Sequence, residues 1–577
     1  MASDQKNCQN CREPFQIQPE DFEFYKKINV PPPTFCWQCR LQRRLMFRNE
    51  RTLYKRTCDL CSVDMLSMYA PDAPFTIYCR ECWFSDKWDP ISYGADYDFS
   101  KPFFQQFKEL LHRVPRMSLY NRNSTNSPFT NMAVESKNVY LAYSIVHCED
   151  VAYSKNIDRS RWIFDSLNVH DSEQCYQNIF GDHNYNSSYL INANNTIASR
   201  YSYDLGACQN CLLCTNLRNG TYMIRNQAVT KEAYAEELKK LGSYQVHEAM
   251  EKELEERRSN ATHKYAEIIR SVNSTGNYLN NVKNARMVFD GYDLEDVAYC
   301  FRTFAMKNSM DVSFSGIQSE LVYEWITGGT QNYNTKFSTA GLWALSNVEY
   351  TDYCGSSSYL LGCTSLRGKE YCIFNKQYDK ESFNALREKI IQHMNDMPYV
   401  DAQGRSFGYG EFFPYDLSAF AYNETIAQEY FPQKSDEAHM KGFRWQEPAT
   451  KNYSVTKKPN ELPDHIDAVD ENMCQEVIGC QHEAQCNEQC TNAFKITPQE
   501  LQFYKARAVP LPRLCPNCRH FQRIKQMDLL KLYHRSCMCV SGHAHGDQSC
   551  PNEFESPYDP DRPEVIYCES CYQAEVV

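Results

Sequence analysis

The chain has 577 residues, a length that predicts roughly four domains of about 150 residues each. Apolar residues make up 42% of the chain and charged residues 23%, which allows a folded core. The formal net charge of −12 argues against wholesale coating of nucleic acid, although a local basic patch is compatible with it.

The start of the chain, "MASDQKNCQN", contains no apolar segment, so the sequence predicts no secretory signal. The sequence contains no run of about 18 apolar residues, so it predicts no membrane span. With 28 cysteines, these features indicate metal sites in a reducing, cytoplasmic compartment. The alternative is a disulfide scaffold, but such scaffolds are typically small.

Residues 1–95 are predicted to form a small treble-clef- or zinc-ribbon-like module at one end of a mainly β chain. It would bind two zinc ions through four C-x-x-C pairs. The pairs are Cys8/Cys11, Cys36/Cys39, Cys58/Cys61 and Cys79/Cys82. This spacing places two thiolates on one tight turn, and two pairs complete a tetrahedral site. Sequential pairing is the simplest arrangement, while the spacing leaves a cross-braced arrangement open. Closed four-cysteine sets predict structural zinc, which would supply much of the folding free energy of such small modules.

Two segments that follow cysteine pairs are basic, and we call them the basic strips. They are residues 40–56, "RLQRRLMFRNERTLYKR", and residues 519–535, "RHFQRIKQMDLLKLYHR". Arginine interleaved with aromatic residues suits phosphate contact and base stacking. The alternative is that each strip covers acidic surface of the same chain. The candidate anion contacts are Arg43, Arg44, Arg48, Arg51, Arg519, Arg523 and Lys525.

After a predicted helical connector at 96–129, the middle of the chain is duplicated. The segment "KNVYLAYSIVHCEDVAYS" at 137–154 recurs as "KNARMVFDGYDLEDVAYC" at 283–300. We define copy 1 as residues 130–275 and copy 2 as residues 276–397, each including the helices that follow its repeats. Helices are predicted to begin after Thr230 and Asp379 as N-caps and to cover the open ends of the repeats.

A shorter rhythm of apolar and aromatic triplets, at steps of roughly 11 to 14 residues, runs through both copies and predicts a duplicated parallel β-solenoid. Two steps would make one coil of about 24 residues; an antiparallel meander is the competing fold. The cysteines in this region are predicted to be buried, reduced core residues. The cluster "CQNCLLC" at 208–214 could instead bind metal, but it lacks a neighbouring cysteine pair.

Residues 398–472 are predicted to link copy 2 to a second double zinc module at 473–577. The predicted ligands there are Cys486, Cys490, Cys515, Cys518, Cys537, Cys539, Cys568 and Cys571. The loop after Cys539 is 11 residues longer than its N-terminal counterpart, and it contains His543, His545 and Cys550 as substitute ligands. Cys474 and Cys480 are spare. In total, the sequence predicts about four structural zinc ions.

The motifs at residues 8–40, 48–61, 85–107 and 366–378 resemble those of a family of candidate-phyla bacterial proteins. These are the paired cysteines with "FYKKINVPPPTFCWQCR", then "RNERTLYKRTCDLC", "SDKWDPISYGADYDFSKPFFQQF" and "LRGKEYCIFNKQY". The resemblance covers nearly the whole chain. It implies four-cysteine zinc-ribbon modules around a Cys/Asn/Tyr-rich repeat region, and it implies no particular reaction.

The leading hypothesis for function is a non-enzymatic zinc-binding scaffold or interaction protein built on a rigid solenoid. An RNA- or nucleic-acid-binding protein acting through the basic strips is the second hypothesis. The third is a β-helix carbohydrate-active enzyme, for which fold analogy is the only warrant. His147, His170 and His183 could line one face of copy 1, or they could be ordinary surface histidines. No catalytic residue is assigned, and the partner and oligomeric state stay open.

Overall fold

The computed structural model describes residues 4–447, 453–528, 530–541, 543, 545–546 and 549–577. It is mainly β, with a parallel β-solenoid of about 20 turns, few helices and four-cysteine clusters near both ends. The predicted fold class is therefore confirmed. Within the described ranges, no helix combines the length and apolar composition needed to cross a membrane.

The N-terminal part consists of short hairpins and helices, and two of the helices begin beside a cysteine. Its elements are β1 (Asp4–Asn7), β2 (Pro14–Ile17), α1 (Pro19–Lys27), α2 (Trp37–Leu45), β3 (Tyr54–Thr57), β4 (Asp64–Ser67), β5 (Ile77–Tyr78), α3 (Arg80–Phe84), α4 (Phe103–Arg113) and β6 (Arg116–Met117). Strands β1 and β2 pair antiparallel, as do β3 and β4. Cys36 and Cys79 stand directly before α2 and α3, so each second cysteine pair straddles a helix N-terminus.

Copy 1 is a stack of short parallel strands. They are β7 (Asn131–Val134), β8 (Lys137–Tyr140), β9 (Tyr143–Val146), β10 (Glu149–Ala152), β11 (Lys155–Asp158), β12 (Arg161–Phe164), β13 (Leu167–His170), β14 (Glu173–Tyr176), β15 (Ile179–Asp182), β16 (Ser188–Asn194), β17 (Arg200–Gly206), β18 (Gln209–Leu212), β19 (Thr215–Arg218), β20 (Thr221–Ile224) and the antiparallel β21 (Gln227–Ala228). Val151 pairs with Val139 on one side and with Ile163 on the other, so successive turns are 12 residues apart.

The predicted coil of about 24 residues is wrong, because one step of the sequence rhythm is already a whole turn. The reason lies in the backbone, which has a positive φ at every third residue, as at Asn138, Leu141, Ser144 and His147. Each such residue turns the chain, so four corners close a coil in 12 residues. Asn and Asp tolerate this conformation better than most residues do, which accounts for their abundance here.

The residue after each corner points into the coil, where space is narrow. Val139, Ala142, Ile145 and Cys148 are four successive inward residues, and all are buried. Inward serines also bond the backbone: Ser166 Oγ accepts from the Asn178 amide at 3.2 Å and donates to the Phe164 carbonyl at 3.0 Å. The solenoid cysteines are buried free thiols, as predicted, namely Cys148, Cys175, Cys208, Cys211, Cys214, Cys300, Cys354, Cys363 and Cys372.

Copy 2 repeats the solenoid after two intervening helices. The elements are α5 (Lys231–Leu238), α6 (Tyr244–Ser259), β22 (Thr262–Lys264), β23 (Ile268–Ile269), β24 (Val272–Ala298), β25 (Phe301–Gly328), β26 (Tyr333–Gly341), β27 (Ser346–Asp352), β28 (Ser358–Thr364), β29 (Glu370–Ile373), β30 (Lys376–Gln377) and α7 (Lys380–Asp396). Strands β24 and β25 are long because pairing with the next turn continues across the corners, as from Phe289 to Ala298. Thr230 and Asp379 are the N-caps of α5 and α7, as predicted.

The two solenoids contact each other side by side. The rings of Phe180 and Tyr278 stack with centroids 3.5 Å apart, and the Tyr278 hydroxyl donates to Asn192 at 2.9 Å. Arg302 of copy 2 donates to Asn168 of copy 1 at 2.7 Å. The stacked rings are half-buried, and Arg302 and Asn168 are buried. These contacts join the two copies into a single support for the cysteine-rich ends.

The remaining elements follow copy 2. They are β31 (Tyr399–Val400), β32 (Ser406–Phe407), α8 (Ala427–Tyr430), α9 (Ser435–Met440), β33 (Ile478–Gly479), β34 (Ala493–Phe494), α10 (Pro498–Arg507), α11 (Pro516–Lys525), β35 (Tyr533–Ser536), β36 (Glu553–Ser556), β37 (Val565–Tyr567) and α12 (Glu569–Val576). Short 3-10 helices lie at Pro90–Tyr93, Tyr415–Leu417, Tyr422–Glu424, Pro459–Glu461, Ile466–Ala468 and Glu471–Gln475. The segment expected as a linker is packed in its first part, where Phe407 stacks on Phe35 and Phe412 and Phe413 are buried.

The two cysteine-rich ends pack crosswise on the solenoids. Helix α2 of the N-terminal part lies against β25 of copy 2, through Arg40 and Asp311. Helix α11 of the C-terminal part lies against copy 1, through Arg519 and Asp165. Each end therefore covers the copy that is more distant from it in the sequence.

Candidate metal centres

The N-terminal cysteines gather into two groups, each made of neighbouring pairs. Cys8, Cys11, Cys36 and Cys39 form one group, and Cys58, Cys61, Cys79 and Cys82 form the other. Within each group the sulfur atoms lie within 4.8 Å of one another. The arrangement is sequential rather than cross-braced. The cysteine pair in each hairpin lies beside the next pair along the chain, which stands at the start of α2 or α3.

The first C-terminal group contains a residue that the sequence had left as spare. Cys480, Cys490, Cys515 and Cys518 lie together, with Cys480 Sγ 3.8 Å from Cys518 Sγ. The predicted ligand Cys486 lies beside them, with its Sγ 3.7 Å from Cys518 Sγ. Five thiols thus surround this position. The irregular spacing of Cys486 and Cys490 was the sequence signal that another cysteine could take part.

The last group also differs from the regular pattern. Cys537, Cys550, Cys568 and Cys571 lie within 4.8 Å of one another, and all four are buried. Cys550, one of the predicted substitutes, comes from the longer loop after Cys539. The predicted ligand Cys539 lies in a second group with His543, His545 and Cys571. The structure therefore brings Cys537, Cys539, Cys568 and Cys571 together with the three predicted substitutes, in two overlapping sets.

The sulfur–sulfur distances fit a tetrahedral zinc ion. Four sulfurs at about 2.3 Å from such an ion stand about 3.8 Å from one another. The Sγ atoms of Cys11 and Cys36 are 3.8 Å apart, those of Cys61 and Cys79 are 3.9 Å apart, and those of Cys550 and Cys568 are 3.9 Å apart. None of the cysteines that the structure describes forms a disulfide. The groups are therefore compatible with metal binding.

Backbone amides around the sulfurs favour the thiolate form that binds metal. The Cys79 amide donates to Cys58 Sγ at 3.2 Å, and the Cys568 amide donates to Cys537 Sγ at 3.2 Å. Burial opposes ionisation of Cys58, but the surrounding amides outweigh it and lower the pKa of this thiol to about 7. Such amide–sulfur bonds are what a C-x-x-C turn provides when it leads into a helix.

The N-terminal basic strip is buried against copy 2. Arg44 and Arg43 are fully buried, and Arg44 Nη1 lies 2.9 Å from Asp311 and 2.8 Å from Glu324. Arg43 Nη2 lies 3.2 Å from Glu324 and 3.1 Å from Glu411. These guanidinium groups are occupied by carboxylates of the same chain, so they are not available to an external anion in this structure.

The C-terminal basic strip makes the same contacts with copy 1. Arg519 Nη1 lies 2.8 Å from Asp165 Oδ2, and Arg523 Nη1 lies 3.0 Å from Asp165 Oδ1. All three side chains are buried. Cys36 and Cys515 are counterparts, because 24 residues separate Cys11 from Cys36 and also Cys490 from Cys515. Arg40 and Arg519, each four residues further on, are therefore counterparts too. The two ends therefore dock through equivalent arginines.

The other candidate anion contacts are divided between interior and surface. Arg48 is buried and donates to Glu50 at 2.6 Å, while Arg51 donates to Asn517 of the other end at 2.8 Å. Lys525 is different, since 66% of its side chain is exposed, and it pairs with Glu488. Of the seven candidate contacts only Lys525 is exposed, although Lys55 and Lys531 elsewhere in the strips are exposed as well.

A buried charge cluster lies where the two ends and copy 1 meet. The Lys155 ammonium bonds Glu50 of the N-terminal part at 2.9 Å and also bonds Glu429. His520 of α11 lies 3.1 Å from the same Glu429 carboxylate. Sequence analysis missed Lys155, Glu50 and Glu429, because long-range ion pairs leave no local spacing signal.

The three histidines of copy 1 do not form a common site. His147 and His183 occupy the same column three turns apart, with Arg159 and Asp171 between them and ion-paired to each other. His147 lies 3.1 Å from Glu135, and His183 lies 2.8 Å from Asp182. His170 belongs to the neighbouring column, where burial lowers its pKa to about 4. His147 and His183 are therefore members of a surface column of polar side chains, and His170 lies outside that column.

Comparison with known proteins adds little. No protein-family model and no curated protein matches the chain. Among solved structures, the chain is similar to a protein from Desulfovibrio desulfuricans G20 that is provisionally described as an acetyltransferase. The two share 9% sequence identity over 53% of this chain and 79% of that chain, with a TM-score of 0.11. A likeness at this level carries no argument about fold or activity.

Proposed function

We propose that the protein is a non-enzymatic scaffold. In it, zinc stabilises the two cysteine-rich ends, and these ends dock on a rigid pair of solenoids. The observation that carries the proposal is the equivalent docking of both ends through buried arginines, as in the pair Arg519–Asp165. Buried ion pairs fix position well, because a displaced partner leaves an uncompensated charge. The cysteine-rich ends would therefore stabilise the fold and would not be independent binding domains.

Zinc would act structurally at the four cysteine groups. Closed four-cysteine sets leave no open coordination position for a substrate or a water molecule. Each end is built of hairpins and short helices that bury little apolar surface of their own, so metal binding supplies their folding free energy. The scaffold's working surface would be the exposed faces of the solenoid, where columns such as Lys137–Glu149 and Lys283–Glu295 alternate in charge. Repeat surfaces of this kind suit extended partners.

Metal analysis of the purified full chain tests the structural part of the proposal. At least four zinc ions per chain are expected, and Cys36→Ser is expected to lose one of them. The matched control is Cys148→Ser, which changes a buried solenoid thiol and should keep the zinc content of the wild type. Fewer than three ions in the wild type, or equal zinc loss in both variants, would contradict structural zinc at these groups.

Co-purification tests the scaffold part. Native protein isolated from its source should carry protein partners, identified by mass spectrometry after mild cross-linking. The absorbance ratio at 260 and 280 nm distinguishes nucleic acid from protein in the same sample. Stoichiometric nucleic acid together with the absence of any protein partner would overturn the scaffold assignment in favour of nucleic-acid binding.

A further inference from the structure

The last cysteine group of the chain holds more ligands than one tetrahedral ion can use. Its N-terminal counterpart is Cys58, Cys61, Cys79 and Cys82, and the shared spacing places Val540 where Cys61 would stand. Cys550, from the longer loop, restores the fourth sulfur in space. This leaves Cys539, His543 and His545 beside a set that is already complete.

These extra residues form a second set that shares Cys571 with the first. The ligand atoms of Cys539, His543, His545 and Cys571 lie within 4.8 Å of one another. Cys539 and Cys571 are buried, and the two histidines are half-buried. Cys539 Sγ lies 3.2 Å from His543 Nδ1. Two sulfurs and two imidazole nitrogens are a common donor set for zinc.

The orientation of His543 provides an independent indication of metal binding. Its Nε2 lies 3.3 Å from the Glu575 carboxylate, on the far side of the ring from Cys539. A carboxylate that accepts a hydrogen bond from one ring nitrogen leaves the other nitrogen as a lone-pair donor. Histidines that ligate metal are usually held in this way. Here the donor atom is Nδ1, which faces the second set.

We propose that the last cysteine group of the chain holds two zinc-class ions bridged by the Cys571 thiolate. Two tetrahedral ions need eight ligand positions, and seven side chains fill them when one thiolate is shared. Charge supports the pairing, because five thiolates would face two divalent ions, leaving nearly balanced charge in a buried site. The inference rests on the proposed structural zinc at Cys537, Cys550, Cys568 and Cys571, and it adds a fifth ion to the chain.

Metal counting on the purified full chain tests the second set. Five zinc ions per chain are expected in the wild type, and fewer in the double variant His543→Ala/His545→Ala and in Cys539→Ser. The control is His534→Ala, since His534 is an exposed histidine whose ring pairs with Glu553 and Glu555 of the neighbouring strand. It should keep all five ions. Four ions in the wild type and in the double variant alike would overturn the proposal, since the two sets would then compete for one ion.

Cadmium-113 NMR of the cadmium-substituted chain tests the bridge separately. Two cadmium signals coupled to each other through a shared sulfur are expected, and both should change in the His543→Ala/His545→Ala variant. Two uncoupled signals would overturn the bridging role of Cys571. A wild type with fewer than three ions in total would instead contradict the structural zinc of the proposed function, so the two failures are distinguishable.

Discussion

Arg519 of the C-terminal part donates to Asp165 of copy 1 at 2.8 Å, with both side chains buried. The same contact exists between the other end and the other copy, where Arg40 bonds Asp311. Asp165 and Asp311 are separated by 146 residues, as are Lys137 and Lys283 of the duplicated middle. Both the ends and the copies are duplicated, and so is the interface between them.

The first prediction concerns the aspartates at this duplicated interface. Asp165→Ala leaves Arg519 and Arg523 buried without their main partner, and losing one partner of a buried pair typically costs about 3–5 kcal/mol. Thermal unfolding of the full chain should show a correspondingly lower midpoint, as it should for Asp311→Ala. Asp293→Ala is the matched control, because Asp293 is an exposed solenoid aspartate. Equal midpoints for Asp165→Ala and Asp293→Ala would contradict the docking role.

The second prediction separates an internal role of the basic strips from nucleic-acid binding. Arg44→Ala/Arg523→Ala should lower the unfolding midpoint strongly, because both guanidinium groups are buried in ion pairs. Retention on immobilised RNA at low salt should not change. Lys525→Ala, at an exposed position, should shift stability by less than about 0.5 kcal/mol. Salt-sensitive RNA retention that the double variant abolishes without loss of stability would refute the internal role.

The third prediction is a pH dependence at Glu349. Burial would raise the pKa of this carboxyl, but Lys336 and Arg387 outweigh burial and lower it to about 2, below its ordinary value of 4.5. The ionised group therefore stabilises the fold above pH 4.5, and this contribution is lost as the pH falls toward 2. The midpoint difference between wild type and Glu349→Gln should be large at pH 6 and small near pH 2, because the folded carboxyl keeps its charge until the pH approaches its lowered pKa.

Comparing the two proteins at each pH removes the effect of any metal release in acid, which they would share. Glu295→Gln serves as the control, since Glu295 pairs with Lys283 and Lys307 on the surface. Its difference from wild type should stay small at both pH values. A Glu349→Gln difference that grows as the pH falls would have the wrong sign for a lowered pKa.

The fourth prediction tests the tight coil of copy 2. A Cβ at Gly316 would stand 1.9 Å from the Phe304 carbonyl oxygen of the preceding turn, and φ at Gly316 is +148°. Gly316→Ala should therefore destabilise the chain by more than about 3 kcal/mol. Gly368→Ala also has a positive φ but meets nothing within 4 Å, so it should cost only about 1–2 kcal/mol. If urea denaturation showed similar losses of unfolding free energy for Gly316→Ala and Gly368→Ala, the close approach of the turns at Gly316 and Phe304 would be contradicted.

Much of the fold could be predicted from sequence because it depends on local repetition. The C-x-x-C spacing indicates where four sulfurs can meet, and the recurrence of segment 137–154 at 283–300 indicates two solenoid copies. The length of the coil could not be predicted, since it depends on a positive φ at every third residue. Ordinary residues such as Leu141 and Trp162 occupy such corners as well as Asn and Asp.

The crosswise docking could not be predicted either, because it joins residues far apart in the chain. The positive charge of Arg44 was visible in the sequence, but its partners Asp311 and Glu324 are about 270 to 280 residues away and resemble any other acidic residue. In the same way, the roles of Cys550 and Cys480 depend on loops that fold back onto distant cysteine pairs. Spacing alone indicates that such residues are available, not where they lie.

Hydrogen–deuterium exchange of the full chain, with and without a zinc chelator, tests the central claim most directly. Chelation should raise exchange in α2 and α11 and, at the same time, in the solenoid strands around Asp311 and Asp165 that these helices cover. The strands around Lys283 and Glu295, whose side chains face solvent, should change least. Unchanged exchange in α2 and α11 after complete removal of the metal would contradict this claim, because the metal would then not hold the cysteine-rich ends on the solenoids.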